Sequence, residues 1–424
     1  MPEPTRSRPW LAKYPDGIPA DLEVPDISLY GLIAASAEKY ADRTALIYYG
    51  SRWTYRKFWD QVGRLAGAFA REGFRKGDGI ALYLPNCPAY PIAYFAALRL
   101  GLVVVQVSPL YIEQDLERLL RDSTPKAIVA LDIHYPNLEK VAHRWRLPVI
   151  FLARLKDFYP IPQRWFVNSV LHKKGLSTRV PTEPHIRRWK SALRNSESPP
   201  PVPVDSSRDV AVMQYTGGTT GIPKAAMLTH RNLVANVLQA HLWLGENVTT
   251  PQVYLGVVPY FHVYGMTAAM NQPLYEGASI VLETRPDVDE ILKLIDRYHP
   301  TYFHGVPALY NAINQHPHRD EYDLKSIRIC VSGSAPLPME VARTFEKVTG
   351  GNLVEGYGLS ETSPVTHVNP VKGERRPGSV GLPLSGTDQK VVDIDSGTRE
   401  LPTGEVGELC VRGPQVMLGY AHQP

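Results

Sequence analysis

Short apolar runs alternate with longer amphipathic stretches through the first third of the chain. The runs at 44–49, 79–84, 103–107 and 127–131 are dense in Val, Ile, Leu and Ala, with little polar alternation. A strand that is apolar at nearly every position is buried on both faces, as in a parallel sheet covered by helices. The stretches between these runs carry helical spacing, so 29–150 reads as a parallel α/β sheet. Proline then interrupts the pattern at 199–203, which marks a linker. From 210 the alternation resumes through 254–259, 278–283, 302–305 and 328–331. Beyond Pro364, short runs such as 389–392 and 407–412 are separated by Gly and Pro and suggest a small β-barrel-like subdomain. The expected architecture is α/β, with one lobe at 1–205, a second at 206–364, largely parallel sheets in both, and the β subdomain at 365–424.

One stretch inside this pattern carries chemistry. Residues 215–224 read Y-T-G-G-T-T-G-I-P-K. Gly217, Gly218 and Gly221 let backbone approach a ligand closely, Thr216, Thr219 and Thr220 supply hydroxyls, and Lys224 supplies a point charge suited to phosphate. The most familiar phosphate loop has its lysine directly after the last glycine, followed by Ser or Thr and a helix. Here Ile222 and Pro223 intervene and Ala225 follows, so that design does not apply. Apolar 210–213 reads as a strand entering the loop and 225–228 as a strand leaving it. A helix over 230–241 then begins, with Thr229 as its N-cap.

The stretch from Tyr215 to Lys224, continuing as A-A-M-L-T-H-R-N, resembles the signature loop of adenylate-forming enzymes, and among them that of bacterial long-chain fatty-acid CoA ligases. Ala225 departs from the glycine usual there by one methyl group. Residues 353–364, L-V-E-G-Y-G-L-S-E-T-S-P, resemble the family's nucleotide and metal motif. In it Tyr357 offers a flat face for adenine, flanked by Gly356 and Gly358, with Glu355 before them. Glu361 is a hard oxygen ligand of the kind magnesium takes alongside substrate phosphates, and Ser360 keeps the hydroxyl of the more usual threonine. Residues 331–338, V-S-G-S-A-P-L-P, resemble the segment where adenine and acyl group approach backbone, through Gly333, Ser334 and Ala335. Residues 258–266, V-P-Y-F-H-V-Y-G-M, resemble the acyl-pocket segment. Amino-acid-activating relatives have aspartate where His262 stands, so the resemblance implies a plain carboxylic acid.

What the resemblance implies can be stated residue by residue. Lys224, Glu361 and His262 are the expected catalytic groups, and Thr219 with Glu361 the magnesium ligands. Tyr215 to Gly221, Gly333 to Ala335 and Glu355 to Glu361 would hold ATP, while His262, Met266, Val306 and Gly333 would contact the acyl group. The reaction would join a fatty acid to ATP, release pyrophosphate, and pass the acyl group to CoA. Three alternatives share the motifs: an acyl-AMP ligase loading a carrier protein, an aryl-CoA or luciferase-like enzyme, and a nucleotide-binding fragment without catalysis. In the family, a ribose-binding aspartate, a hinge and a mobile domain with a catalytic lysine follow the G-Y seen here at 419–420. The chain given stops at Pro424, so the expectation is a large domain alone, with weak nucleotide binding and poor turnover.

Composition adds boundaries. The chain has 424 residues, 44% hydrophobic and 21% charged, which is ordinary globular usage. A net charge of +4 gives no support to nucleic-acid binding. Cys87, Cys330 and Cys410 are too scattered for a disulfide framework, which suits a reducing cytoplasm. No apolar run reaches the ~20 residues of a membrane span, and homo-oligomerisation is left open. Charge is uneven, however. Residues 151–194 hold ten Lys or Arg against Asp157 and Glu183, leaving the rest of the chain at −4. Trp165, Phe166, Val170, Leu171 and Trp189 are interleaved, the pattern of a segment that lies on an anionic membrane, here the inner face reached from the cytoplasm. A solvated surface excursion would read the same way.

Overall fold

The computed structural model describes residues 8–142, 144, 148–173, 176, 182–216, 223–244 and 250–422. Two large sheets organise it. The first has eight strands in the order Gly419–Tyr420, Lys224–Thr229, Val210–Thr216, Val103–Val107, Gly79–Tyr83, Ala127–Leu131, Val149–Ala153 and Ile186–Arg188. It is parallel from Val210–Thr216 to Ile186–Arg188, and antiparallel where Lys224–Thr229 and Gly419–Tyr420 join it. The apolar runs have the cause anticipated. Along Gly79–Tyr83, Ile80 and Leu82 enter one core cluster while Ala81 and Tyr83 enter another on the opposite face. The pleat sends alternate side chains to opposite faces, and both are dry.

The second sheet begins with Ser51–Thr54, Thr44–Tyr48, Ser279–Leu282 and Val253–Gly256. Parallel bridges through Tyr302 and Gly305 carry it on to Ile329–Ser332, Asn352–Gly358, Val365–Val368 and Leu382–Pro383. The sheets therefore cut across the boundary expected at 205/206. Thr44–Tyr48 pairs with Ser279–Leu282 of the later half, and Val210–Thr216 and Lys224–Thr229 complete the earlier sheet. Nor do the described residues beyond 364 close a barrel. Most of their strands extend the large sheets, and only Asp388–Val392 with Glu408–Arg412 form a separate antiparallel pair. Short strands cannot cover both their edges alone, and joining an existing sheet satisfies the exposed backbone groups.

Asn86 joins the two sheets. It follows the Gly79–Tyr83 strand and is 3% exposed. Its amide donates to the carbonyls of Gly256 (3.1 Å) and Val258 (2.9 Å) and accepts from the Tyr260 N–H at 2.8 Å. The segment leading to His262 is thereby pinned to the first sheet. The linker at 199–203 is pinned too, since Val202 N–H donates to Arg99 O at 2.8 Å and the Arg99 Nε donates to Pro199 O at 2.7 Å.

Three interior histidines give the fold an acid limit. Burial lowers His134, His230 and His304 to about 4, with the nearby Arg285 charge adding to the effect at His134. Neither ring nitrogen of His304 has a hydrogen-bond partner among the described residues. A folded-state pKa below the unfolded value of about 6.5 means that the unfolded chain binds more protons between pH 6.5 and 4. The stabilisation is thus complete above pH 6.5 and is lost as pH falls toward 4. Buried Glu283, raised to about 7 by desolvation, acts in the opposite sense between about 4.5 and 7. The net expectation is a falling urea midpoint from pH 6.5 to 4, by at most about 1.4 kcal/mol per pH unit per histidine. His304→Phe should flatten this slope. Midpoints that stay level from pH 7 to 4.5 would contradict the account.

Candidate active site between the sheets

The strands around the signature loop form as the apolar pattern requires. Val210–Thr216 and Lys224–Thr229 pair so that Thr216 faces Lys224, and the Thr216 hydroxyl donates to Lys224 O at 3.4 Å. Helix His230–Leu244 follows, and the Thr229 hydroxyl accepts from the Asn232 N–H at 3.2 Å while the Asn232 side-chain oxygen accepts from the Thr229 N–H at 2.9 Å. Strand, loop, strand and helix are thus in the expected order. Gly217, Gly218, Thr219, Thr220 and Gly221, with the expected metal ligand Thr219 among them, lie outside the described residues.

A cavity of about 300 Å3 opens beyond the loop's first strand. It is lined by Thr216 from the first sheet and by His262 to Tyr264. Val331, Gly333, Ser334, Gly356 to Glu361, Pro364 and Val365 complete the wall from the second. The parallel strand Ile329–Ser332 ends at this wall, and crevices at the carboxyl ends of parallel strands are where open α/β sheets bind ligands. Gly358 is required here, because a Cβ would meet Pro364 O at 2.1 Å. Ser334 holds a φ of +69° at the same wall. A hydrogen bond from the Thr267 hydroxyl to Ser363 O, 2.7 Å, ties the helical segment after His262 to the motif loop.

His262 is open to solvent through the cavity yet surrounded by protein, and this crowding lowers its pKa. Its Nδ1 accepts from the Tyr264 N–H at 3.3 Å. The neutral ring therefore carries its proton on Nε2, a donor suited to a carboxylate oxygen.

The two charged groups of the motifs meet at a residue that sequence reasoning passed over. The Tyr420 hydroxyl donates to Glu361 Oε1 at 2.6 Å, and the Lys224 ammonium stands 5.2 Å from the centre of the same ring. The bond to Glu361, with burial second, pushes the Tyr420 phenol up to about 12. Gly419–Tyr420 pairs with Met227 and Ala226, which fixes the ring between the motifs. Its G-Y dipeptide was legible as a landmark, but not its long-range pairing.

Several expected contacts lie elsewhere. Tyr215 turns to the other face of its strand, into the core, and donates to Asp122 Oδ2 at 2.6 Å. Glu355 accepts from the Leu337 and Gly378 N–H groups, both at 3.1 Å, and so fastens two loops rather than facing the cavity. The adjacent Thr216 and Gly356, expected at the site as well, line the wall, since the pleat turns neighbouring side chains to opposite faces. Ala335 is exposed just outside the lining. Met266 is buried, with its sulfur accepting from the Gln106 amide at 3.1 Å, and Val306 precedes helix Pro307–Asn314; neither lines this cavity.

The residues fit a nucleotide with magnesium. Among the described residues there is no group of three or more His, Cys, Asp or Glu that could hold a metal ion. Glu361 is the only carboxylate in the lining, and one carboxylate completed by substrate phosphates is the coordination magnesium favours.

A cleft that gathers Thr216, His262 and the motif from Gly356 to Glu361 suits a ligase that consumes a nucleotide. The chain belongs to the AMP-binding enzyme family, whose model matches residues 33–421. It is 41% identical over 419 residues to a long-chain-fatty-acid–CoA ligase of Bacillus subtilis, covering 98% of this chain and 74% of that one. Among solved structures it resembles a long-chain-fatty-acid–CoA ligase from Archaeoglobus fulgidus, with a TM-score of 0.81 at 26% identity over 96% of this chain and 79% of that one. ATP-bound MatB from Rhodopseudomonas palustris gives a TM-score of 0.77 at 26% identity, covering 94% and 73%.

Proposed function

We propose that this chain activates a long-chain fatty acid with ATP and transfers the acyl group to CoA. The observation that carries this reading is the convergence of Thr216, His262, Gly333 and Gly356 to Glu361 on one cavity from four distant segments. The fatty-acid preference is supported by the relatives, and by the apolar part of the wall, Val263, Tyr264, Val331, Pro364 and Val365.

In the reaction a carboxylate oxygen attacks the α-phosphorus of ATP, and the bond to pyrophosphate breaks. The obstacle is negative charge approaching negative charge, so the protein must position and neutralise phosphate oxygens. Lys224, with the loop 217–221, would hold the terminal phosphates. The His262 Nε2–H would orient the carboxylate, and Tyr357 would flank the adenine. Magnesium held by Glu361, with Thr219 assisting, would offset phosphate charge. The CoA thiol sulfur then attacks the acyl carbon of the adenylate, the bond from that carbon to the AMP phosphate oxygen breaks, and AMP and the thiol proton leave as the thioester forms. The sulfur nucleophile belongs to CoA, so Cys87, Cys330 and Cys410 have no part in it.

The substrate partitions into lipid, and the same reading places the enzyme peripherally on an anionic membrane through the 151–194 segment. No helix among the described residues is long and apolar enough to cross a membrane. Helix Ile161–Lys173 instead presents Trp165 and Phe166, 80% and 73% exposed.

The test is pyrophosphate release by the full-length protein across fatty acids of increasing length, with thioester formation followed on adding CoA. Release with long-chain acids and acyl-CoA as product are expected. Release confined to aromatic acids, or transfer to a carrier protein but not to CoA, would overturn the proposal.

A further inference from the structure

The cationic segment also encloses a cavity of about 780 Å3, separate from the one described above. Leu152, Leu171 and Trp189 give it an apolar floor, and basic side chains surround its rim. Their pairing separates the available charges from the spent ones. Asp157 binds both Arg154 (3.2 Å) and Lys190 (2.8 Å). The other carboxylate in the lining, Asp132, accepts from the Ile133 and Leu155 N–H groups at 3.0 and 3.1 Å. Arg187, just outside, is held by Glu72 at 2.5 and 3.0 Å. Lys156, Arg188 and Arg194 remain at the rim with no carboxylate partner among the described residues. Arg188 donates to the Thr182 hydroxyl at 3.2 Å.

Helix Ile161–Lys173 forms part of this cavity through Ser169, Leu171 and His172. Its exposed residues include Ile161, Trp165, Phe166 and Val170, which are 71%, 80%, 73% and 49% exposed. Three cations with no carboxylate partner among the described residues, over an apolar floor and beside exposed apolar side chains of the helix, match an anionic amphiphile lying at a lipid surface. Phosphate would meet the rim at the depth where the helix meets acyl chains.

We propose that this cavity binds the phosphate headgroup of an anionic phospholipid, through Lys156, Arg188 and Arg194, while the exposed apolar side chains of the helix rest in the acyl-chain boundary. This rests on the membrane reading above and adds lipid selectivity to it.

The experiment is co-sedimentation of the full-length protein with vesicles of phosphatidylcholine alone and of phosphatidylcholine mixed with phosphatidylglycerol. Wild type should bind the mixed vesicles at least about tenfold more tightly, given roughly a tenfold gain for every one or two cations near an anionic surface. Lys156→Ala/Arg188→Ala/Arg194→Ala should lose that preference and keep weak binding to both vesicles. Trp165→Ser/Phe166→Ser should lose binding to both. All five side chains lie on or near the surface, and an unchanged melting temperature shows that each variant is folded. A water-soluble short-chain phosphatidylglycerol should displace the protein from mixed vesicles, whereas inorganic phosphate at equal concentration should not. Equal wild-type affinity for both vesicles would end the headgroup proposal and leave membrane docking standing. Binding to neither would end both. Selectivity retained by the triple variant, or equal competition by inorganic phosphate, would also overturn the lipid site.

Discussion

Glu361→Gln should lower kcat/KM for ATP by about 10²- to 10³-fold, the loss of roughly 3–4 kcal/mol of transition-state stabilisation that removing one well-placed charge-stabilising group produces. Among the described residues Glu361 is the only carboxylate lining the cavity, so none of them there can replace it as a phosphate-linked magnesium ligand. Glutamine keeps the shape and can still accept the Tyr420 hydroxyl bond now made at 2.6 Å, so the fold should be retained. The loss should appear in pyrophosphate release, with a raised magnesium requirement, while the urea midpoint stays within error of wild type. A decrease under threefold would remove Glu361 from the proposed chemistry.

Asn86→Leu should be the most damaging substitution for stability, by about 3–5 kcal/mol. The residue is nearly isosteric, so the cost is polar: two carbonyls, of Gly256 and Val258, and the Tyr260 N–H would each lose a buried partner. Each such group costs about 1–3 kcal/mol, with incomplete additivity. Asn86→Asp should fall between, because it preserves the acceptor for Tyr260 and loses the donor. Since the clamped segment leads into His262, KM for the acid should rise in either variant that folds. Denaturant unfolding measures the first effect and steady-state kinetics the second. A loss below about 1 kcal/mol would show that water or relaxation replaces the clamp.

The strands were legible because burial on both faces writes itself as uninterrupted apolar sequence. Val103–Val107 and Ala127–Leu131 fall where the pattern put them. Ile186–Arg188 did not, since it is only three residues long and two of them are arginines. Asn352–Gly358 was read for its chemistry, although it is also a strand, because glycine and tyrosine at a ligand wall obscure the strand pattern. In the basic segment, Trp165, Phe166 and Val170 are exposed. Trp189 and Leu171, alike in sequence, turn inward, and Trp189 is 3% exposed.

Sequence alone determined most of the element types, the order of strand, loop, strand and helix at the signature loop, and the residue types available to the site. These depend on local spacing and on side-chain types, which one dimension records. Only the tertiary structure decided which side of each strand faces the cavity, and so kept Thr216 and Gly356 at the wall while turning Tyr215 and Glu355 away from it. It alone placed Tyr420 between Lys224 and Glu361, and it alone separated spent cations such as Arg187 from those, such as Lys156, with no carboxylate partner among the described residues. Pleat direction and charge pairing are set by partners distant in sequence, such as Asp122 for Tyr215 and Glu72 for Arg187. No local pattern encodes those partners.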